Sequence, residues 1–183
     1  MTPATIVGHS NAAAAAIWAA AEAPDQVTGI ALVGPFLLDG KLSPVLRLAE
    51  KVVTGSPLIW SRLYYPSLYK AARPDDFSDY LGAMRASLRE PGRMAVLRGV
   101  ATDQQRCRAR IPELRRPVLI VMGTRDPDFP DAEVAARDGE ALIGQHTRAR
   151  LGLIDGAGHY PHAELPLVTA SAILPFLADA GRA

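Results

Sequence analysis

The chain has little of what extracellular and membrane proteins require. Cys107 is its only cysteine, so no internal disulfide can form and secretion receives no support. No basic segment followed by an apolar stretch opens the chain, so no signal peptide is predicted. The longest apolar run ends at Glu22, well short of the about 20 residues that span a bilayer. We therefore expect a soluble protein in the cytoplasm.

An excess of charge of either sign is also absent. Lysine and arginine total 20 and aspartate and glutamate 19, which gives a formal net charge of +1. This balance gives no electrostatic reason to expect nucleic acid or an anionic membrane as a partner. The 183 residues, 49% of them hydrophobic, suit one globular domain with a sizeable core.

Strands alternate with helices along most of the chain. Residues 36–110 instead carry helical apolar spacing interrupted by prolines, which predicts several short helices forming a lid. Residues 1–35 and 111–183 would form a core of about four parallel strands flanked by helices. The predicted core elements are strand Ala4–Val7, helix Asn11–Ala23, strand Val27–Val33, strand Val118–Met122, helix Asp131–Ile143, strand Arg150–Ile154 and helix Glu164–Leu177.

The first predicted strand leads directly into the most informative motif. Ser10 stands between this strand and an alanine-rich helix, with the small residues Gly8 and Ala12 two positions before and after it. A strand-to-helix turn around a nucleophilic serine is so sharp that it needs small residues at those positions. The alternative is that Ser10 only caps the helix, a common role for serine.

Two further residues follow later strands. Asp126 lies three residues after the glycine that ends one strand, and His159 lies in a glycine-rich turn after the next. A serine hydroxyl becomes a good nucleophile when an imidazole takes its proton, and a carboxylate orients that imidazole. The spacing favours Asp126 as the acid, and Asp128 remains the alternative.

Together, the segments around Ser10, Asp126 and His159 resemble the lidded, small-molecule type of the α/β-hydrolase superfamily. The resemblance implies that Ser10, Asp126 and His159 act on a small-molecule substrate. It also implies that the Asn11 N–H lies in the oxyanion hole and that no metal or organic cofactor is needed. A serine nucleophile argues against haloalkane dehalogenases and epoxide hydrolases, so an esterase is expected. Lactonase, carbon–carbon hydrolase and haloperoxidase-like reactions follow in that order.

The same resemblance implies that segments preceding the nucleophile strand in relatives are absent here, including the loop with a second oxyanion donor. Residues 4–7 would then form an exposed sheet edge, which favours a homo-oligomer. The alternative function is that of a non-catalytic binding or interaction protein, or an inactive fragment. We expect His9 and His162 to be structural or to face the lid. For Arg125 and Glu164 we expect surface ion pairs, and the alternative is that they support the proposed catalytic residues.

Overall fold

A sheet of four parallel strands forms the centre of the computed structural model, which describes residues 2–38 and 44–181. The strands stand in the order β1-β2-β3-β4. This confirms the predicted architecture, an α/β sheet flanked by helices. The strands are β1 (Ala4–His9), β2 (Val27–Val33), β3 (Val118–Gly123) and β4 (Ala149–Ile154).

The two central strands are the most apolar part of the chain because both faces of the sheet are covered. Ile30 of β2 and Ile120 of β3 face one layer of helices, while Ala31 and Val121 face the other. Within the described ranges, β1 has a neighbouring strand on one side only, and Val7 is 51% exposed. The predicted position of this strand at the sheet edge is therefore confirmed.

Helices α1 (Asn11–Glu22) and α7 (Ala132–Gly144) cover one face, and α9 (Pro166–Ala180) covers the other. The helix predicted for residues 164–177 is observed as α9, but it begins two residues later, because the chain first forms a separate short helix α8 (Pro161–Glu164). Leu165 between them has φ −135° and ψ 67°. Proline disfavours the helical conformation of the residue that precedes it, and Pro166 follows here.

Between β2 and β3 lies the segment predicted to form a lid (residues 36–110, the lid segment below), and its described residues are mainly helical. Residues 39–43 of this predicted segment lie outside the described residues. An aromatic cluster around Tyr65 and Phe77 packs the lid against Tyr160, which directly follows His159. The lid helices are α2 (Pro44–Gly55), α3 (Pro57–Ile59), α4 (Tyr65–Ser67), α5 (Phe77–Leu88) and α6 (Arg93–Arg108), with a π-helical turn at Trp60–Tyr64.

In the part of the chain that the structure describes, no helix combines the length and the apolar character needed to cross a membrane.

Candidate active site

Ser10 lies in the turn between β1 and α1, at the carboxyl end of the sheet. Its backbone has φ 53° and ψ −118°, and among residues 2–38 and 44–181 it is the one non-glycine residue with a positive φ. A hydrogen bond of 2.8 Å from the Ser10 N–H to the Val33 carbonyl holds this turn against β2. The Ser10 side chain makes no capping hydrogen bond to α1. The geometry is that of a strained elbow rather than of a side-chain cap.

This elbow depends on the lack of a side chain at Gly8. A Cβ there would lie 2.5 Å from the Ala12 carbonyl oxygen and 2.9 Å from the Ala13 Cα. We expect Gly8→Ala to lower the free energy of unfolding by about 1–3 kcal/mol, because the backbone must move to admit the methyl group. Urea unfolding measures the change. The control is Gly152→Ala in β4, where a Cβ would meet Ala172 at an ordinary 3.4 Å, and a matching loss there would contradict the prediction.

Asp126 and His159 form a buried pair at the ends of β3 and β4. The Asp126 Oδ2 lies 2.7 Å from the His159 Nδ1, and each residue is only 2% exposed. Burial alone would lower the pKa of His159, but the hydrogen bond to Asp126 and its negative charge outweigh burial and raise it. With Nδ1 engaged by the carboxylate, Nε2 is the nitrogen that remains to exchange a proton with a substrate or nucleophile.

Asp128 lies farther from the same imidazole. Its Oδ2 is 3.8 Å from the His159 Nδ1, and both carboxylate oxygens accept from the Tyr64 hydroxyl, at 2.9 and 3.0 Å. Burial raises the pKa of Asp128. The Asp128 N–H donates to the Asp126 Oδ1 at 3.0 Å, so the two carboxylates are parts of one turn. The distances favour Asp126 as the partner of His159.

Ser10 and His159 are neighbours through the backbone of β2. The Ser10 N–H donates to the Val33 carbonyl at the end of β2. A Cβ placed on the next residue, Gly34, would lie 3.2 Å from the His159 Cε1. Among the described residues no hydrogen bond joins the Ser10 Oγ to His159. Catalytic hydrogen bonds are often long in unliganded enzymes and tighten when substrate binds. The structure places Ser10, Asp126 and His159 at the carboxyl end of the sheet, after β1, β3 and β4.

Asn11 begins α1 immediately after Ser10. Its N–H belongs to the first helical turn, where N–H groups have no partner within the helix and the positive end of the helix dipole lies. This end of the helix can stabilise negative charge that lies close to Ser10.

Asp126, Asp128 and His159 also offer three ligand atoms to a cation. The ligand atoms of Asp126, Asp128 and His159 lie within 4.8 Å of one another. The 2.7 Å contact between His159 and Asp126 has the length of a charge-assisted hydrogen bond, and Tyr64 already occupies the oxygens of Asp128. We therefore interpret the cluster as a hydrogen-bonded acid–base pair.

Glu164 has surroundings that differ from those predicted. The expected surface ion pair is wrong, because Glu164 is only 3% exposed and its carboxylate accepts four backbone N–H groups. Oε1 accepts from Gly158 at 2.8 Å and Tyr160 at 3.3 Å, while Oε2 accepts from Lys70 at 2.6 Å and Ala71 at 2.7 Å. This carboxylate therefore joins the lid segment to the loop that carries His159.

Arg125 differs from Glu164 in its surroundings. It is exposed, and the described part of the chain gives its side chain no ion pair. Its backbone N–H donates to the Ala157 carbonyl at 2.9 Å, which fixes the turn before Asp126.

His9 and His162 lie close to His159. The His9 ring centroid is 4.9 Å from that of His159 and 4.7 Å from those of Tyr160 and His162. Burial and the neighbouring His159 lower the pKa of His9 to about 4, and burial lowers that of His162. Both imidazoles are therefore neutral near pH 7.

A family model described as "Alpha/beta hydrolase family" matches residues 1–172. Solved structures share the fold at low identity. A probable hydrolytic enzyme from Pseudomonas aeruginosa PAO1 is 20% identical with a TM-score of 0.72, over 96% of this chain and 64% of that one. A 2-hydroxy-6-oxo-6-phenylhexa-2,4-dienoate hydrolase from Rhodococcus sp. strain RHA1 is 19% identical with a TM-score of 0.67, over 99% and 64%.

A thermophilic esterase from Thermogutta terrifontis is 19% identical with a TM-score of 0.68, over 98% of this chain and 66% of that one. The chain thus spans about 64% of the length of the first two structures. No curated protein matches it.

Proposed function

The chain belongs to the alpha/beta hydrolase family, and from this premise we propose that it is a serine hydrolase acting on a small carboxylic ester or related acyl compound. The observation that carries the proposal is the buried contact of 2.7 Å between His159 Nδ1 and Asp126 Oδ2, placed beside the strained Ser10 turn. Relatives of this fold are longer than the chain, so activity of these 183 residues is part of the proposal.

In this mechanism the Ser10 Oγ forms a bond to the substrate carbonyl carbon while its proton passes to the His159 Nε2. The carbonyl oxygen becomes an oxyanion that the Asn11 N–H stabilises. The ester C–O bond then breaks, and the alcohol leaves with the proton from His159. Water cleaves the resulting acyl-enzyme with His159 as the base, which releases the acid and restores Ser10. Asp126 stabilises the imidazolium throughout.

Aromatic side chains near His159 support an apolar acyl or ring group in the substrate. The Phe36 ring centroid lies 5.9 Å from that of His159, and Phe36 stacks on Phe129 at 5.0 Å. Tyr160 follows His159 and stacks on Tyr69 of the lid segment at 5.0 Å. Rings at these positions provide apolar contact area next to the reacting atoms.

Reaction with a fluorophosphonate tests the proposal. The Ser10 Oγ should displace fluoride and leave a phosphonate adduct on the peptide that contains Ser10, located by mass spectrometry. The same chain in urea is the control, because only the folded arrangement with His159 activates the hydroxyl. The proposal would be contradicted if the folded chain formed no adduct, or if the adduct formed instead on an exposed serine such as Ser67.

A second candidate function is ligand binding or association without turnover. The exposed Val7 side chain on the edge strand β1 favours association, because an open edge can pair with a strand of a second copy. Sedimentation velocity separates the two candidates. A dimer without the Ser10 adduct supports the second function, whereas a labelled monomer contradicts it.

A further inference from the structure

His9, the residue directly before Ser10, makes a specific contact with the loop of His159. The His9 Nε2 lies 2.8 Å from the His159 carbonyl oxygen. A carbonyl oxygen only accepts, so the Nε2 of His9 must carry the proton and donate it. The contact joins two residues that are 150 positions apart in the chain. The donor residue His9 directly precedes Ser10, and the acceptor belongs to His159.

We propose that His9 is a positioning residue that sets the separation of Ser10 and His159 through its hydrogen bond to the His159 carbonyl. This inference rests on the proposed function, since it concerns the geometry of that same site. No direct hydrogen bond between Ser10 and His159 is present among the described residues. In the described part of the chain, the hydrogen bond from His9 to the His159 carbonyl therefore directly connects the turn that carries Ser10 with the loop that carries His159.

His159 is held at three points that come from three different parts of the chain. Its N–H donates to the Leu68 carbonyl of the lid segment at 2.8 Å, and its ring binds Asp126 after β3. The third point is its carbonyl, held by His9 at the end of β1. Two of these contacts orient His159 relative to the lid segment and to the acid. Among the described residues, His9 alone ties it to β1, the strand that ends directly before Ser10.

The surroundings of His9 keep its imidazole neutral and fixed in one tautomer. The titratable groups that face it are His159, Tyr160, His162 and, farther away, Asp126. Burial and the neighbouring His159 lower the pKa of His9 to about 4, so no added positive charge opposes the protonation of His159 during turnover. With Nε2 as the donor, the neutral ring carries its lone pair on Nδ1.

Two variants of His9 and one of its neighbour test the proposal. His9→Leu removes the donor and keeps an apolar side chain, whereas His9→Gln keeps an N–H donor at a similar reach. His162→Leu is the matched control, because it removes another imidazole 4.7 Å from His9. We expect His9→Leu to lower kcat for p-nitrophenyl butyrate by about 100-fold with KM changed less than about twofold. His9→Gln should recover most of that loss, and His162→Leu should leave kcat near the wild-type value.

Nuclear magnetic resonance of the histidine rings gives a readout that does not depend on turnover. The ring nitrogens of His9 should show the Nε2–H tautomer at pH 7. The downfield proton on the His159 Nδ1 should shift in His9→Leu and not in His162→Leu. If the wild-type chain neither turns over ester nor reacts with fluorophosphonate, the proposed function fails while these spectra still decide the role of His9. An Nδ1–H tautomer in the wild type, or a His9→Leu variant indistinguishable from His162→Leu, would overturn the inference.

Discussion

The Asp126→Asn variant should hydrolyse p-nitrophenyl butyrate about 10⁴-fold more slowly than the wild-type chain, with little change in KM. The carboxamide keeps the size of the side chain, but its NH₂ group can face the His159 Nδ1 at the position where the carboxylate now accepts at 2.7 Å. The imidazole would then carry its proton on Nε2, the nitrogen that must accept the proton from Ser10. A protonated nitrogen cannot accept the Ser10 proton, so the first chemical step fails.

Asp128→Asn is the matched comparison for Asp126, because both residues lie in one turn near the same imidazole. The Asp128 oxygens are 2.9 and 3.0 Å from the Tyr64 hydroxyl, and an amide oxygen still accepts that bond. Removing a charge 3.8 Å from Nδ1 should cost no more than about tenfold in kcat. Steady-state kinetics of both variants ranks them. A larger loss in Asp128→Asn would assign the role of the acid to Asp128 instead.

Features that depend on residues close together in the sequence could be predicted from it. Val27–Val33 is predicted and observed with the same bounds, because a strand buried on both faces reads as an apolar run. The turn at Ser10 follows from small residues at fixed spacing, and the close approach of Gly8 to the Ala12 carbonyl explains why. In the same way, Pro166 carries the signal for the break at Leu165 that an apolar pattern alone does not show.

Contacts between distant segments could not be read in this way. Glu164 resembles any surface glutamate in the sequence, yet two of its four donors are Lys70 and Ala71, 94 and 93 positions earlier in the chain. The hydrogen bonds of His9 and of Tyr64 to the site likewise cross 150 and 64 positions. A buried carboxylate is stable only where donors surround it, and those donors are backbone groups that carry no residue-specific signal.

Replacing Glu164 with leucine should lower the free energy of unfolding by on the order of 4 kcal/mol, because it leaves several backbone N–H groups without an acceptor. The bond from Gly158 is buried, so water cannot easily replace the lost oxygen there. Glu164→Gln should fall between leucine and the wild type, since its oxygen can still accept from one pair of donors. Urea unfolding followed by circular dichroism gives all three values.

The control for the buried Glu164 is the exposed Glu90. Glu90 pairs with Arg93 at 2.9 Å on the surface, and its side chain is 56% exposed. Glu90→Leu should change stability by less than about 1 kcal/mol, because water screens such a pair and hydrates its partners once it is broken. If both leucine variants lost the same stability, the four backbone contacts would contribute no more than a surface ion pair. A large loss at Glu164 alone would show that this carboxylate stabilises the contact between the lid segment and the His159 loop, since no other side chain accepts N–H groups from both segments in the described part of the chain.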